Sequence, residues 1–364
     1  MSGIGCLAAL DEGRIVMEDN TGVAIREFSD EHGRAWDSYV RVSDSGTLFH
    51  LIGFKRALEK TFGYKSCYLL AETNGRLCGV LPLFFVRNLL AGSALVSLPF
   101  GVYGGVCADN EIVAQRLLEA AQAIMRDKGL GYLEVRNRDM NRPGPITRDL
   151  YSTFIKELPA NPADCLEQLP RKTRAAARKG ISCGLKAKMG VEWLRDYYNV
   201  YAISVRNLGS PVFPYGFLTN LVEAFPNNTN VLMVDYGGKP VAGVFTFTYK
   251  DTVLPYYGGA LEQYFPYQPN NFMYLRLMEW AVERGYRFFD FGRSKKDTGS
   301  YRFKELHGFA PQPLFYQYYL NTLATPPDTS SKNPRLEMVI RLWKRTPVWL
   351  TKIIGPRVIK LTPP

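Results

Sequence analysis

The densest run of chemically capable side chains is FFDFGRSKKDTGSYRFKELHGF, residues 288–309. An apolar segment passes through Gly292 into a stretch bearing Arg293, Ser294, Lys295, Lys296, Thr298, Ser300, Tyr301, Arg302 and Lys304. A loop that leaves the carboxyl end of a strand with glycine, hydroxyls and cations can hold a phosphate or stabilise a developing oxyanion. A solvated basic loop has the same composition. Asp290 falls on one strand face with Tyr286 and Phe288, where it can serve as a general base or only pair with Arg293. Tyr256 and Tyr257, in PYYGG at another predicted strand end, can donate hydrogen bonds to an acceptor or oxyanion, or simply pack. A base, hydrogen-bond donors for an oxyanion and cations for a leaving group are thus all represented.

Two further segments are cationic. In RKTRAAARKG, Pro170 can open a helix, the alanines favour it and Gly180 can close it. That sets Arg171, Arg174 and Arg178 along one side, a comb for successive phosphates or a solvated helix face. The tail alternates Leu342, Trp343, Val348, Trp349, Ile353 and Ile354 with Arg341, Lys344, Arg345, Lys352 and Arg357, which suits an interfacial segment against anionic lipid or a wrap around the body of the protein. The whole chain carries 45 Lys+Arg against 34 Asp+Glu, net +11. Residues 171–190 hold seven bases and no acids and residues 321–364 eight bases and two acids, so these two segments supply the entire excess.

The elements that must position these residues follow a repeated plan. VAIREFS (23–29) reads as a strand, Ser29 or Asp30 caps a helix to about residue 42, and a second helix covers 50–62. SCYLLAET and RLCGVLPLFFV flank Asn74-Gly75, a hairpin signal, and Asp109 caps a long helix that returns through YLEVRN. In the second half, VLMVDY and PVAGVFTFTY flank Gly237-Gly238, then FMYLRLMEWAVERG reads as a helix leading into YRFFDF. Aligning Gly129 with Gly285 sets Glu134 against Asp290, which points to duplication or to two α/β units converging on one pattern. LPANPAD (158–164) is the natural boundary.

At 364 residues and 46% hydrophobic content the chain is long and apolar enough for two packed domains, which excludes a disordered or fibrous protein. The six cysteines are scattered without CxxC pairs or nearby histidines, which argues against zinc or a disulfide framework and for reduced thiols. GIGCLAAL meets Asp11 and Glu12 too soon for a secretory segment, and Pro99 and four glycines break the uncharged stretch 88–108 as a membrane helix. The expected location is the cytoplasm.

The run DFGRSKKDTGSYRFKELHGF, with RKTRAAARKGISCGL, VRNLGSPVFPYGFL, LPYYGGA, NNFMYLRLMEWAVERG and NPRLEMVIRLWKRTPVWLTKIIGP, resembles FemAB-type proteins associated with PEP-CTERM/exosortase loci, over roughly residues 20–360. The resemblance implies an α/β (α+β) chain of tandem GNAT-like acyltransferase domains, each a mixed sheet flanked by helices. FemAB relatives transfer amino acids from aminoacyl-tRNA to amines of cell-wall precursors, other GNAT-like proteins use acyl-CoA, and the PEP-CTERM members are linked to exopolysaccharide export. FKELHGF is similar to a FKxxFG-like signature whose lysine, here Lys304, neutralises charge at the reacting carbonyl. His307 stands where relatives more often carry an aromatic, and reads as a surface or packed histidine.

The expected domains are 20–157, 164–322 with the site, and a basic amphipathic tail at 323–364. The expected function is N-acyl or aminoacyl transfer to an amine of an envelope or exopolysaccharide precursor, with no bound cofactor or metal and with acyl-CoA or aminoacyl-tRNA as donor. Lys304, Asp290 and Tyr257 are the catalytic candidates; Arg293, Lys295, Lys296, Tyr256, Tyr301, Arg171, Arg174 and Arg178 are the substrate-binding ones. The partners would be an anionic lipid-linked or nucleotide-linked glycan precursor, tRNA, and the inner face of the cytoplasmic membrane through the tail. Neither a coiled-coil arm nor a clean CoA pyrophosphate loop stands in the sequence, GVYGG at 101–105 being the nearest, so the donor stays open. A non-catalytic module for nucleic acid or anionic polysaccharide is the alternative, and the absence of aromatics from RKTRAAARKG counts against it.

Overall fold

A computed structural model of the chain describes residues 22–88, 92–139, 142–327 and 334–361. Cys6 and GIGCLAAL lie outside the described residues. The architecture is mixed α/β, with several mixed sheets flanked by helices. Two compact units divide it. One holds residues 22–149 and 314–327, with the chain end from residue 360; the other holds 150–313 and 334–359. Relative to the expected 20–157 and 164–322, residues 150–157 sit with the second unit and Phe315–Leu320 with the first. Neither pairing is local, so no nearby sequence signal announces it.

In the first unit the hairpin Leu69–Thr73/Arg76–Leu81 turns on Asn74 and Gly75 at φ 51° and 74°, the left-handed pair a type I′ turn needs. The apolar run after it is not one strand. Pro82, with no N–H for a ladder, separates Arg76–Leu81 in a four-stranded sheet from Phe84–Asn88 in a six-stranded one. Helix Glu111–Asp127 is capped by Asn110, whose side chain accepts from the Val113 N–H at 3.0 Å; the expected cap, Asp109, instead accepts from the Tyr39 hydroxyl at 2.8 Å. The buried face of this helix, with Leu117, Ala121 and Ile124, packs on both sheets through Ile25, Leu69 and Leu133. It joins the parallel strands Gly92–Val96 and Tyr132–Asn137, and Phe315–Leu320 completes the far side of the latter.

The second unit repeats the crossover: helix Pro269–Glu283 joins Thr252–Ala260 to the parallel strand Phe288–Asp290. Its hairpin Thr229–Tyr236/Lys239–Tyr249 turns on Gly237 and Gly238 at φ 58° and 80°. The six-stranded sheet runs Ile155–Glu157, Phe288–Asp290, Thr252–Ala260, Lys239–Tyr249, Thr229–Tyr236, Lys186–Met189. Helix Arg171–Ser182 continues past Gly180. That glycine is buried against Phe272, where a Cβ would come within 2.8 Å of the Phe272 Cβ, and the chain leaves the helix at Gly184, φ 80°.

The tail is not free of this unit. Helices Pro334–Arg345 and Val348–Leu361 dock by one face each: Ile340 on Gly209, the Trp343 indole N–H donating to the Ser210 carbonyl at 3.0 Å, Gly355 on Val212, and the Lys352 ammonium donating to Asn199 at 2.7 Å. Trp349 stays exposed. The tail thus packs on the body of the protein by one face of each helix and leaves other residues exposed.

Candidate active site

The site begins with two strands that part. Thr252–Ala260 pairs with Phe288–Asp290 only at Thr252 and Val253, yet pairs with Lys239–Tyr249 along its whole length to Ala260. Phe288–Asp290 turns instead to Ile155–Glu157, and the Phe291 N–H donates to the Phe154 carbonyl at 2.9 Å. Among the described residues no strand pairs with the edge of Leu254–Ala260 that the parting leaves. Backbone donors and acceptors on such an edge can take a polar ligand instead of a ladder.

At that edge lies a bulge. Phe245 faces Tyr257 and Thr246 faces Pro255, so Tyr256 is the extra residue, beside a proline that brings no donor to the ladder. Consecutive strand residues normally point to opposite faces, but here the rings of Tyr256 and Tyr257 lie 4.1 Å apart. Tyr257 rests on Phe213 at 4.8 Å and Tyr201 at 5.7 Å, and its carbonyl accepts from the Tyr197 hydroxyl at 2.8 Å. Burial, then the neighbouring phenols of Tyr256 and Tyr201, push the Tyr257 hydroxyl well above its ordinary pKa; Arg293 offsets part of this. Tyr257 is therefore a protonated donor at neutral pH. The two glycines after it admit neighbours that a side chain would displace: a Cβ at Gly258 would meet the Tyr274 hydroxyl at 2.6 Å, and one at Gly259 the Tyr201 Cα at 3.1 Å.

The opposite side of the parting is the loop after Asp290. This carboxylate is buried, and its Oδ1 accepts from the Gly292 N–H at 2.7 Å and the Thr153 hydroxyl at 3.2 Å. It shapes the turn at Gly292, φ 64°. Arg293 follows, its guanidinium 4.8 Å over the Tyr151 ring and close enough to act on both Tyr257 and Lys304. Lys304 is buried on helix Gly299–Leu306, which Thr298 caps; its ammonium donates to the carbonyls of Gly292 at 2.8 Å and Arg293 at 3.2 Å, and lies over the Phe154 ring. Burial lowers its pKa to about 7, against the pull of Asp290. The expected catalytic lysine thus clamps the loop that presents Arg293.

Asp290, Arg293 and Lys304 share the loop on one side of the parting, and Tyr256 and Tyr257 sit at the bulge on the other. The remaining candidates are held in contacts of their own. Tyr301 is set edge-on to Phe154 at 5.0 Å, and Lys295 lies in the short strand Ser294–Lys295 opposite Tyr151. The Lys296 N–H donates to the Leu150 carbonyl. Arg174 and Arg178 both bind the Glu167 carboxylate, at 2.8 and 2.6 Å, so the guanidinium comb is partly neutralised, while Arg171 stays exposed. His307 is packed rather than on the surface: Nδ1 donates to the Phe303 carbonyl at 2.7 Å, rings of Phe291, Phe303 and Tyr274 surround it, and burial lowers its pKa to about 4. GVYGG lies in the first unit, where Gly104 and Gly105 line a small open hollow with His50, Tyr103, Arg136 and Arg138.

Sequence reasoning missed Tyr197, Tyr201 and Phe213. The four-residue spacing of the two tyrosines puts them on one helix face, and Pro255, the first residue of PYYGG, is the signal for the bulge. Among the described residues the first unit shows no comparable parting. There the Ser97 N–H donates to the Glu134 carbonyl, the Gly104 N–H to that of Arg136, and the buried Arg136 guanidinium donates to the carbonyls of Leu98 and Gly101, so the loop after Gly92–Val96 is stitched to the neighbouring strand. Among the described residues no group of three His, Cys, Asp or Glu is arranged to hold a metal ion, and no helix is long and apolar enough to cross a membrane.

Comparison with known proteins bears on this unit first. Residues 163–305 match the family model described as Acetyltransferase (GNAT) domain. No match is found among curated protein sequences. Among solved structures the chain is similar to FemX, with TM-score 0.63, 14% identity and coverage of 82% of this chain and 97% of that one. It is also similar to the C-terminal domain of a putative lysylphosphatidylglycerol synthetase from Agrobacterium fabrum, with TM-score 0.55, 11% identity and coverage of 79% and 91%. A tandem GNAT protein from the clavulanic acid biosynthesis pathway matches with TM-score 0.51, 10% identity and coverage of 84% and 100%. At these identities the likeness is one of fold. Residues 163–305, which contain the parted strands, match the GNAT acetyltransferase model, and the chain shares its mixed α/β fold with these structures.

Proposed function

We propose that the chain is an N-acyl or aminoacyl transferase acting on an amine of an envelope or exopolysaccharide precursor, with its reaction site at the parted strands of the second unit. The observation that carries this reading is the unpaired edge with its bulge, set opposite a cation-bearing loop. The donor's carbonyl would lie along the edge at Tyr256 and Tyr257. As the amine attacks, the carbonyl oxygen gains negative charge, and the protonated Tyr257 hydroxyl and the Arg293 guanidinium are the donors to meet it. Collapse of the tetrahedral intermediate breaks the bond to the leaving group, while the attacking nitrogen loses its proton to solvent or to a base on the acceptor. Asp290 and Lys304 would act by position. The first fixes the turn before Arg293 and the second holds the carbonyls of Gly292 and Arg293.

Lys295, Lys296, Tyr301 and the exposed Arg171 stand as outer contacts for an anionic acceptor or donor, with Arg174 and Arg178 available once Glu167 yields. Acyl-CoA and aminoacyl-tRNA both present a carbonyl that unpaired backbone N–H groups on a strand edge can hold. Aminoacyl transfer draws support from FemX and the lysylphosphatidylglycerol synthetase domain among the similar folds. The test is to incubate the purified protein with labelled aminoacyl-tRNA, and separately with labelled acyl-CoA, in a membrane extract of the source cell. Label in an amine-bearing glycan or lipid product is expected. No transfer from either donor overturns the reading.

A further inference from the structure

The tail helices leave an apolar surface that the second unit does not cover. Among the described residues thirteen large hydrophobic side chains are exposed, and five of them fall between positions 338 and 353: Met338 (67% exposed), Val339, Leu342 (62%), Trp349 (65%) and Ile353 (54%). Their spacing separates them from the docked residues. On the first helix Met338 and Leu342 are four apart, on a different stripe from Ile340 and Trp343, which meet Gly209 and Ser210. On the second, Trp349 and Ile353 are four apart, on a different stripe from the buried Thr351, Gly355 and Ile359. Leu208, at the end of the helix whose Gly209 meets Ile340, is exposed as well.

The charge around this surface has one sign. Residues 334–361 hold seven bases, Arg335, Arg341, Lys344, Arg345, Lys352, Arg357 and Lys360, against the single acid Glu337. At 1.5 Å per residue, helices of 12 and 14 residues are about 18 and 21 Å long, short of the roughly 30 Å needed to span a bilayer's hydrocarbon core. Short helices with an apolar outer stripe, an exposed tryptophan and excess cations lie in a membrane interface, not across it. Their docked faces fix them on the folded unit, so no ordering of the tail is needed at the moment of binding.

We propose that the outward faces of Pro334–Arg345 and Val348–Leu361 form a preformed docking surface for an anionic lipid bilayer. Trp349, Leu342 and Ile353 enter the headgroup boundary, and Arg345, Arg357 and their neighbours meet the lipid phosphates. This surface does not depend on the acyl-transfer reading, since lipid binding is measured without turnover. The occupant is a bilayer and not a second copy, because two such cationic faces would repel each other.

The test is co-sedimentation of the full chain with vesicles of phosphatidylcholine alone and of phosphatidylcholine with 30–40% phosphatidylglycerol, with tryptophan fluorescence read in parallel. Binding to the anionic vesicles at low salt, release at high salt and a blue shift lost in Trp349→Phe are expected. At about 1 kcal/mol per surface cation, Arg345→Gln with Arg357→Gln should weaken partitioning about 30-fold. Trp349→Ala with Ile353→Ala should also weaken it, while circular dichroism stays unchanged because both side chains are exposed. No binding to anionic vesicles at low salt overturns the proposal, as does equal binding by the wild type and both double variants. A concentration-dependent dimer broken by Trp349→Ala, without vesicle binding, would assign the surface to self-association and overturn it too.

Discussion

Lys304→Met separates clamp from fold. Burial lowers the lysine from 10.5 to about 7, so charging it costs more in the folded chain than in the unfolded one, by up to about 5 kcal/mol at 1.36 kcal/mol per pH unit. Between pH 7 and about 10 the unfolded chain binds a proton that the folded chain does not. Wild-type stability should therefore climb across that window, by at most about 1.4 kcal/mol per unit, and fall back as pH drops toward 7. Methionine keeps most of the stem over Phe154 but loses two charge-assisted bonds to Gly292 and Arg293, worth roughly 1.5–3 kcal/mol each. It also removes the cost of charging. At pH 7 these terms oppose each other, so the variant should remain folded while turnover falls by about 10²-fold as the loop presenting Arg293 loosens. Urea titrations at pH 7, 8, 9 and 10, paired with label transfer at pH 7, read both. A variant with wild-type turnover removes Lys304 from the site. A variant with the wild-type pH slope shows that Lys304 is not the group titrating.

Three shorter predictions accompany it. Tyr257→Phe keeps the ring against Phe213 and Tyr201 but removes the hydroxyl, so thermal stability should barely change while turnover drops by about 10²-fold; unchanged turnover would exclude Tyr257 as an oxyanion donor. Gly259→Ala sets a methyl 3.0 Å from Ser204 Cβ and 3.1 Å from Tyr201 Cα, which should cost about 1–3 kcal/mol in chemical denaturation; a neutral result would show the helix can withdraw. Glu167→Gln frees Arg174 and Arg178 from an exposed ion pair, so stability should barely change while affinity for a polyanionic donor rises; weakened donor binding would remove the comb from the site.

Local chemistry carried much of the fold. Asn74-Gly75 and Gly237-Gly238 announced their hairpins because only such pairs adopt two successive left-handed residues cheaply, and Gly129 and Gly285 ended helices for the same reason. Non-local pairing stayed hidden. Phe315–Leu320 reads as one more apolar strand, and nothing near it says that its partner is Tyr132–Asn137, nearly two hundred residues earlier. Asp109 and Asn110 are both good caps, and the competition was settled by the Tyr39 hydroxyl, a contact seventy residues away. The site divided along the same line. Residue types pointed to Arg293 and the tyrosine pair and the resemblance to Lys304, but that Lys304 points inward to backbone carbonyls, and that a bulge brings Tyr256 and Tyr257 side by side, depends on how three strands meet. In the tail, two apolar stripes on each helix satisfied docking and exposure at once, which composition alone presents as alternatives.

Transfer of label from aminoacyl-tRNA or acyl-CoA to an amine, compared between wild type and a Tyr257→Phe/Arg293→Gln double variant of unchanged circular dichroism, tests the assignment of chemistry to the parted strands most directly. Transfer by the wild type from one donor, with the double variant slower by 10³-fold or more, is the predicted result. Wild-type transfer that survives in the double variant would place the reaction elsewhere in the chain and contradict the account.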